Sequence, residues 1–244
     1  MSNYLIIASS STIGQELVKI LHQQADQLYL TSRNPDKIQQ LADETQSSFS
    51  ALDASSFEEV NQVFEDASDK LGPLDGVVCL AGSLLLKAAH QTSEQEYLHT
   101  IQTSLTTAFA TTKAAGKHMR KGGSVVLISS AAAMQGFANH EAIAAAKGGV
   151  IALARSAAAT YARQNLRFNV VSPGLTETAL TKSLFANEAS KQISEKMHVL
   201  GRLGEAHKIA LSIAFLLNPE NDWITGQVLG IDGGLSRVAP KIKG

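Results

Sequence analysis

Short apolar runs alternate along the chain with longer stretches of helical period. Residues 4–8 (YLIIA) are apolar and few enough for a strand. Across 15–21, Leu17, Ile20 and Leu21 fall at i, i+3 and i+4, the spacing of one helix face. The alternation continues with strand 27–31, helix 36–45, strand 49–52, helix 56–71, strand 74–80 and a long helical segment 93–120. It closes with strand 124–129, helix 141–163, strand 168–172, a helix around 209–217 and strand 228–231. Strands joined by crossover helices build a parallel sheet covered on both faces, and right-handed crossovers make it doubly wound. The predicted fold class is therefore α/β, one domain over residues 1–244. Pro35, Pro73, Pro173, Pro219 and Pro240 all fall at predicted turns or boundaries. Residues 175–200 show no clear strand. They follow the sixth strand, where a lid over the carboxyl edge of the sheet would sit.

Composition excludes several classes of function. Hydrophobic residues make up 44% and charged residues 18%, an ordinary globular balance. A formal net charge of −1 gives no bulk attraction to nucleic acid or anionic membrane, and neither partner is expected. Cys79 is the single cysteine, so no internal disulfide can form and nothing indicates an oxidising compartment. The start, Met1-Ser2-Asn3-Tyr4, has no basic region of a signal peptide, and no apolar run reaches bilayer length by inspection. A cytoplasmic location is expected. The seven histidines show no paired metal-ligand spacing on one helix, so no metal is expected.

The turn after the first strand reads Ala8-Ser9-Ser10-Ser11-Thr12-Ile13-Gly14. A strand, a tight polar turn and a helix start aim backbone N–H groups and the positive end of a helix dipole at one point, which suits a pyrophosphate. Only Gly14 supplies the glycine that such turns use for close approach. A serine-rich helix cap is the plainer reading of the same residues.

Several ordered segments resemble the short-chain dehydrogenase/reductase family. The turn resembles its TGxxxGIG motif, with Ala8 and Thr12 in place of the first two glycines. Asp53-Ala54-Ser55 resembles the Asp-Val motif whose aspartate meets adenine, and Leu80-Ala81-Gly82 the Asn-Asn-Ala-Gly motif. Ile128-Ser129-Ser130 resembles the strand end that carries the catalytic serine. Phe168-Asn169-Val170-Val171-Ser172-Pro173-Gly174 matches the N-x-V-x-PG segment. Gly201-Arg202-Leu203-Gly204-Glu205, Ile224-Thr225-Gly226-Gln227 and Asp232-Gly233-Gly234 resemble the C-terminal signatures. The resemblance implies a single Rossmann-fold domain with strand order 3-2-1-4-5-6-7, and a homotetramer or dimer. It also implies a cofactor site built from Ser10, Ser11, Thr12, Ile13, Gly14, Arg33, Asp53, Ala81, Gly82, Lys147, Pro173, Gly174 and Thr176. After the second strand the chain reads Thr31-Ser32-Arg33-Asn34, with no acid before Asp36. Ser32 and Arg33 can bind a 2′-phosphate, which favours NADP(H) over NAD(H).

The family's chemistry uses a Tyr-x-x-x-Lys pair with a serine. Here Lys147 takes the lysine position, Ser130 the serine position and Ile143 stands where the tyrosine is expected. The family's helix asparagine maps to Ser104. Isoleucine supplies neither proton nor charge, and loss of a general acid typically costs about 10²–10⁴ in rate. His140 shares a helix face with Ile143 and Lys147 and is a candidate replacement; a histidine in the helix cap is the plainer alternative. The leading expectation is an NAD(P)(H)-dependent oxidoreductase acting on a carbonyl or secondary alcohol through an atypical site. The alternatives are a non-catalytic dinucleotide-binding protein or hetero-oligomer subunit, and, third, an epimerase or dehydratase. Leu180, Leu184, Phe185 and Met197 in the lid would make the substrate pocket partly apolar.

Overall fold

The computed structural model describes residues 1–185 and 187–239. Seven parallel strands form one sheet: β1 (Asn3–Ile7), β2 (Gln27–Ser32), β3 (Ser48–Ala51), β4 (Gly76–Cys79), β5 (Gly123–Ile128), β6 (Leu166–Pro173) and β9 (Val228–Ile231). Their order is β3-β2-β1-β4-β5-β6-β9. This is the expected order; the last strand is ninth in the chain because β7 (Thr176–Glu177) and β8 (Gly204–Glu205) pair separately.

Helices cover both faces. On one, α3 (Phe57–Leu71), α5 (Thr107–His118) and α6 (Glu141–Thr160) bury Val60, Phe64, Ala114, Val150 and Ala154 against Val77, Val125 and Phe168. On the other, α1 (Thr12–Gln23), α2 (Asp36–Thr45) and α8 (Ala206–Leu217) bury Leu17, Leu21, Ile38, Ile209 and Ile213. Alternate residues of each central strand serve opposite layers, so these strands are apolar throughout, as the short runs predict.

Local chemistry sets the helix starts. The Ser11 hydroxyl accepts from Gly14 N–H at 3.1 Å, and Ser56 caps α3 by accepting from Glu59 N–H at 3.2 Å. Ser93 and Glu96 form a reciprocal capping box at the start of α4 (Glu94–Ile101). The predicted helical segment 93–120 is interrupted: α4 runs into a π-helical turn, Gln102–Thr106, before α5. Such single π turns are frequent at functional sites.

Two other expectations need correction. The α6 helix has 20 residues and is apolar enough that by length and composition alone it could cross a bilayer. Its apolar character comes largely from alanine, and it packs against β6 and β5 with Ala142, Ile143, Ala146 and Val150 buried. The lid is more ordered than the sequence suggests. It holds β7, a 3-10 turn (Lys182–Phe185) and α7 (Glu188–Met197), which Asn187 caps by accepting from Ser190 N–H. Pro240 lies outside the described residues.

Candidate active site

The β1–α1 turn brings Ser10 to Gly14 together at the carboxyl edge. Among the described residues, the amides of Thr12 and Ile13 have no intramolecular acceptor, so two donors remain at the positive end of α1. Gly14 is required for close packing, since a Cβ there would lie 2.6 Å from Ser9 O. Ala8 takes the left-handed conformation, φ 63°, that the resembled motif gives to glycine. The serine hydroxyls are committed internally: Ser9 Oγ donates to Thr31 O, Ser10 Oγ pairs with Ser32 Oγ at 2.9 Å, and Ser11 caps α1. The Thr12 hydroxyl accepts from Ala179 N–H at 3.1 Å, joining the turn to the lid.

At the end of β2, Ser32 is buried and its hydroxyl accepts from Asn34 N–H, which leaves Arg33 as the exposed group. Asp53 lies close enough for the Arg33 charge to act on it. Its carboxylate accepts from Ser55 N–H and Oγ, and these bonds, then Arg33, hold its pKa below the usual value. Arg33 and Asp53 therefore flank one end of the cleft.

Lys147 lies at the other end. Its side chain is 6% exposed. Nζ donates to Ile128 O at 2.9 Å, while Lys147 O accepts from Ser129 Oγ at 2.9 Å, so one residue fastens α6 to the end of β5 twice. No carboxylate lies within salt-bridge distance among the described residues. Burial pulls the ammonium down to about 8, and the nearby Cys79 thiol opposes that shift. A Cβ on Gly82 would approach Nζ to 3.2 Å and Ser104 Oγ to 3.9 Å, so glycine at 82 leaves open the side of the ammonium that Ser104 borders. The π turn carries Ser104, which is 1% exposed, to that place.

Ser130 follows β5 and caps the 3-10 turn Ala131–Ala133, accepting from Ala132 N–H at 3.2 Å. Its own hydroxyl hydrogen has no acceptor among the described residues. Ile143 is 4% exposed. His140 is the cap residue of α6, and its ring lies 5.6 Å from that of Phe137. Because a carbonyl only accepts, the 2.7 Å contact with Ala138 O fixes the hydrogen on Nδ1.

Across the cleft, Pro173 ends β6 and Gly174 N–H donates to Ile231 O. Thr176 is buried and its hydroxyl donates to Gly174 O. Cavities of about 440 and 510 Å³ lie beside the lid. The first is lined by Gly174, His198, Leu200 and Asp232, the second by Phe137, Met197 and Arg237. Of the four lid residues expected in a pocket, Met197 lines one; Leu180 is 54% exposed.

Sequence reasoning missed His198, which is buried at the end of α7. Its Nδ1 donates to Ser194 O and its Nε2 accepts from Leu175 N–H, tying the lid helix to the strand end. It also missed the tethering role of Ser129. Only its adjacency to Ser130 in the resembled motif could have pointed to it.

A family model described as enoyl-(acyl carrier protein) reductase matches residues 7–236. The 3-oxoacyl-[acyl-carrier-protein] reductase of Mus musculus is 33% identical over 237 residues, covering 94% of this chain and 96% of the relative. Carbonyl reductase family member 4 of Danio rerio is 34% identical, covering 95% and 96%. Among solved structures, ElxO with NADP bound aligns with a TM-score of 0.90 at 31% identity, covering 96% of this chain and 99% of that one. A tyrosine-to-phenylalanine variant of ElxO with NADPH bound aligns with the same score. The chain belongs to the short-chain dehydrogenase/reductase family. It is an enzyme of the NAD(P)-dependent oxidoreductase class.

The contact between Gly82 and Lys147 gives a direct test of the cleft. Gly82→Ala would bring a methyl group to 3.2 Å from Nζ, so the ammonium must shift by a few tenths of an ångström, and the change is expected to weaken NADPH binding about tenfold, or about 1.4 kcal/mol. Calorimetric titration checks this, and unchanged affinity would remove Gly82 from the cofactor site.

Proposed function

We propose that this enzyme reduces a carbonyl compound with NADPH, and oxidises the secondary alcohol in reverse, through a site in which Ile143 stands in place of the family's tyrosine. The observation that carries the reading is the buried Lys147 ammonium with a single hydrogen-bond partner, open toward Gly82 and Ser104. A charge held this way fits the hydroxyls of a nicotinamide ribose. The free amides of Thr12 and Ile13 fit a pyrophosphate, with Ser10, Ser11 and Gly14 shaping their turn. Asp53 is proposed to meet the adenine, and Ala81, Gly82, Pro173, Gly174 and Thr176 to wall the cleft. When bound, the cofactor supplies the hydride. Ser130 has a free hydroxyl hydrogen to polarise a carbonyl oxygen. His140, with Nδ1 given to Ala138 O, keeps Nε2 as its remaining polar atom. Titration with NADPH followed by a carbonyl screen tests the proposal. Binding without oxidation of NADPH would favour a non-catalytic dinucleotide-binding protein, the reading that the buried apolar Ile143 supports.

We further propose that NADP(H) is preferred over NAD(H), because Arg33 is exposed at the end of β2 with no acid at that strand end. Arg33→Ala is expected to weaken NADPH binding by about 1.5–3 kcal/mol and leave NADH nearly unchanged. Calorimetry with both cofactors measures this; equal wild-type affinities would contradict it.

The α4–α5 surface exposes Leu98 (53%) and Phe109 (48%), with Phe57 stacked on Phe109 at 5.9 Å. We propose that this face joins copies of the chain in a homo-oligomer, a tetramer or dimer. Light scattering should give a multiple of 25.9 kDa; the mass of a single chain at micromolar concentration would count against it.

Restoring the phenol tests what has been lost. Ile143→Tyr places a hydroxyl one turn before Lys147 on the same helix face. It is expected to raise diketone reduction by roughly 10²-fold or more, at a packing cost of about 1–3 kcal/mol. A folded, NADPH-binding variant with no gain would show that the site lacks more than a tyrosine.

A further inference from the structure

Little packing holds the lid in place. Among the described residues from 175 to 200, only Thr176 and His198 are buried. The helix α7 buries none of its own residues, so His198, just beyond Met197, is its anchor. The imidazole makes two bonds: Nδ1 meets Ser194 O at 2.7 Å, and Nε2 meets Leu175 N–H at 3.2 Å. A carbonyl only accepts and a backbone amide only donates. One form of the ring alone satisfies both, the neutral form with its hydrogen on Nδ1. Nε2 is also the only acceptor that Leu175 N–H has among the described residues.

The anchor bears on the cofactor cleft. Leu175 stands between Gly174 and Thr176, both proposed to wall it. Gly204 N–H holds the Leu175 carbonyl at 2.9 Å, and the imidazole holds its amide. A Cβ on Gly174 would lie 3.0 Å from Nε2 and 2.8 Å from Asp232 Cα, so the ring packs directly on the backbone of the wall. Past His198, Leu200 N–H donates to Gly233 O at 3.1 Å, which draws the segment after β9 into the same junction.

We infer that His198 is a positioning residue that latches the lid to the cleft wall while its ring is neutral, and releases it when Nε2 takes a proton. The inference rests on the cofactor reading above. An imidazolium has two donors and no acceptor, so its Nε2–H would meet Leu175 N–H head on. Histidine is the side chain whose ordinary titration lies nearest neutral pH, so a modest fall in pH suffices. With the latch released, Leu175 is held on its carbonyl side alone and the wall it belongs to loosens.

No charged group on the surrounding elements bonds the ring. After β9, the Asp232 carboxylate already accepts from Gly234 N–H and from the amide and hydroxyl of Ser236. Before α8, Arg202 pairs with Glu205, and Lys208 of α8 is exposed. On α7, Lys191 pairs with Glu177 of β7, Glu188 and Lys196 are exposed, and Glu195 is half-buried one turn before the ring. Protonation therefore costs the ring its bond to Leu175 with no carboxylate bonded to it in exchange.

Amide hydrogen exchange, resolved by NMR on the protein without cofactor, reads the latch directly. From about pH 7.5 to about pH 5.5, protection of Leu175 relative to its chemical exchange rate should fall about tenfold. That factor is the one expected of an imidazole that titrates near 6.5 when released and takes no proton while latched. Gly174, whose amide donates to Ile231 O, should keep its protection. Calorimetry should show the NADP+ dissociation constant rising about tenfold over the same interval. His198→Gln offers Leu175 an amide oxygen that does not titrate, so its rise should shrink to the part that the cofactor's own phosphate contributes. His198→Leu removes the acceptor, and its affinity at neutral pH should already be as weak as that of wild type in acid. Leu175 protection that stays level with that of Gly174 in acid would overturn the inference on the wild type alone, whether or not either variant folds. A rise in the dissociation constant that persists unchanged in folded His198→Gln would overturn it too. Binding of neither NADP+ nor NAD+ would instead overturn the cofactor reading, and the exchange of Leu175 would still decide whether His198 is a latch.

Discussion

One buried positive charge sets the conditions for the rest of the site. Lys147 must reach the end of β5 across the face of α6, and Nζ meets a single carbonyl there. Holding the ammonium in that place, down from 10.5 in water to about 8, costs on the order of 3 kcal/mol. Nothing in the hydrogen bonding of the chain alone offsets this, since one bond to a neutral carbonyl contributes only about 1 kcal/mol. The surrounding apolar packing of α6, through Ala142, Ile143, Ala146 and Val150, must carry the charge. A fold under no demand for chemistry would gain by replacing this lysine.

The other features of the cleft follow from what the charge needs around it. A methyl group on Gly82 would approach Nζ to 3.2 Å. The π turn sets Ser104 beside the same opening, where an ordinary helical run would have placed it differently. Ser129 fixes the Lys147 backbone, so the side chain extends from a fastened point. At the opposite end, the Thr12 amide has no intramolecular acceptor among the described residues while its hydroxyl holds Ala179 of the lid. The β1–α1 turn and the lid are thus joined through one residue.

The strand order and both helix layers were legible because they rest on period and on short local motifs. Leu17, Ile20 and Leu21 do form one buried helix face. Ser104 was legible as a position but not as a geometry: the Thr- and Ala-rich run around it has helical period throughout, and nothing marks the inserted π residue. Residues 175–200 show no clear strand in the sequence because β7 is only two residues long, and α7 buries none of its residues. His198 was opaque for another reason. Its partners, Ser194 O and Leu175 N–H, are brought together only by tertiary folding. The bilayer-length α6 shows the opposite error, in which alanine-rich sequence looks weakly apolar by eye but sums to a membrane-like average.

The central claim is that Lys147 sits buried and charged at the expense of stability. The most direct test is the unfolding free energy of wild type and Lys147→Met as a function of pH. Lys147 releases its proton near 8 when folded and near 10.5 when unfolded. Between those values the unfolded chain holds more protons, so wild-type stability rises with pH relative to the variant. At pH 7 the methionine variant should be the more stable, and from pH 7 to 9.5 the gap should narrow by about 2 kcal/mol. A gap that does not change with pH, or a variant less stable than wild type at pH 7, would contradict the account.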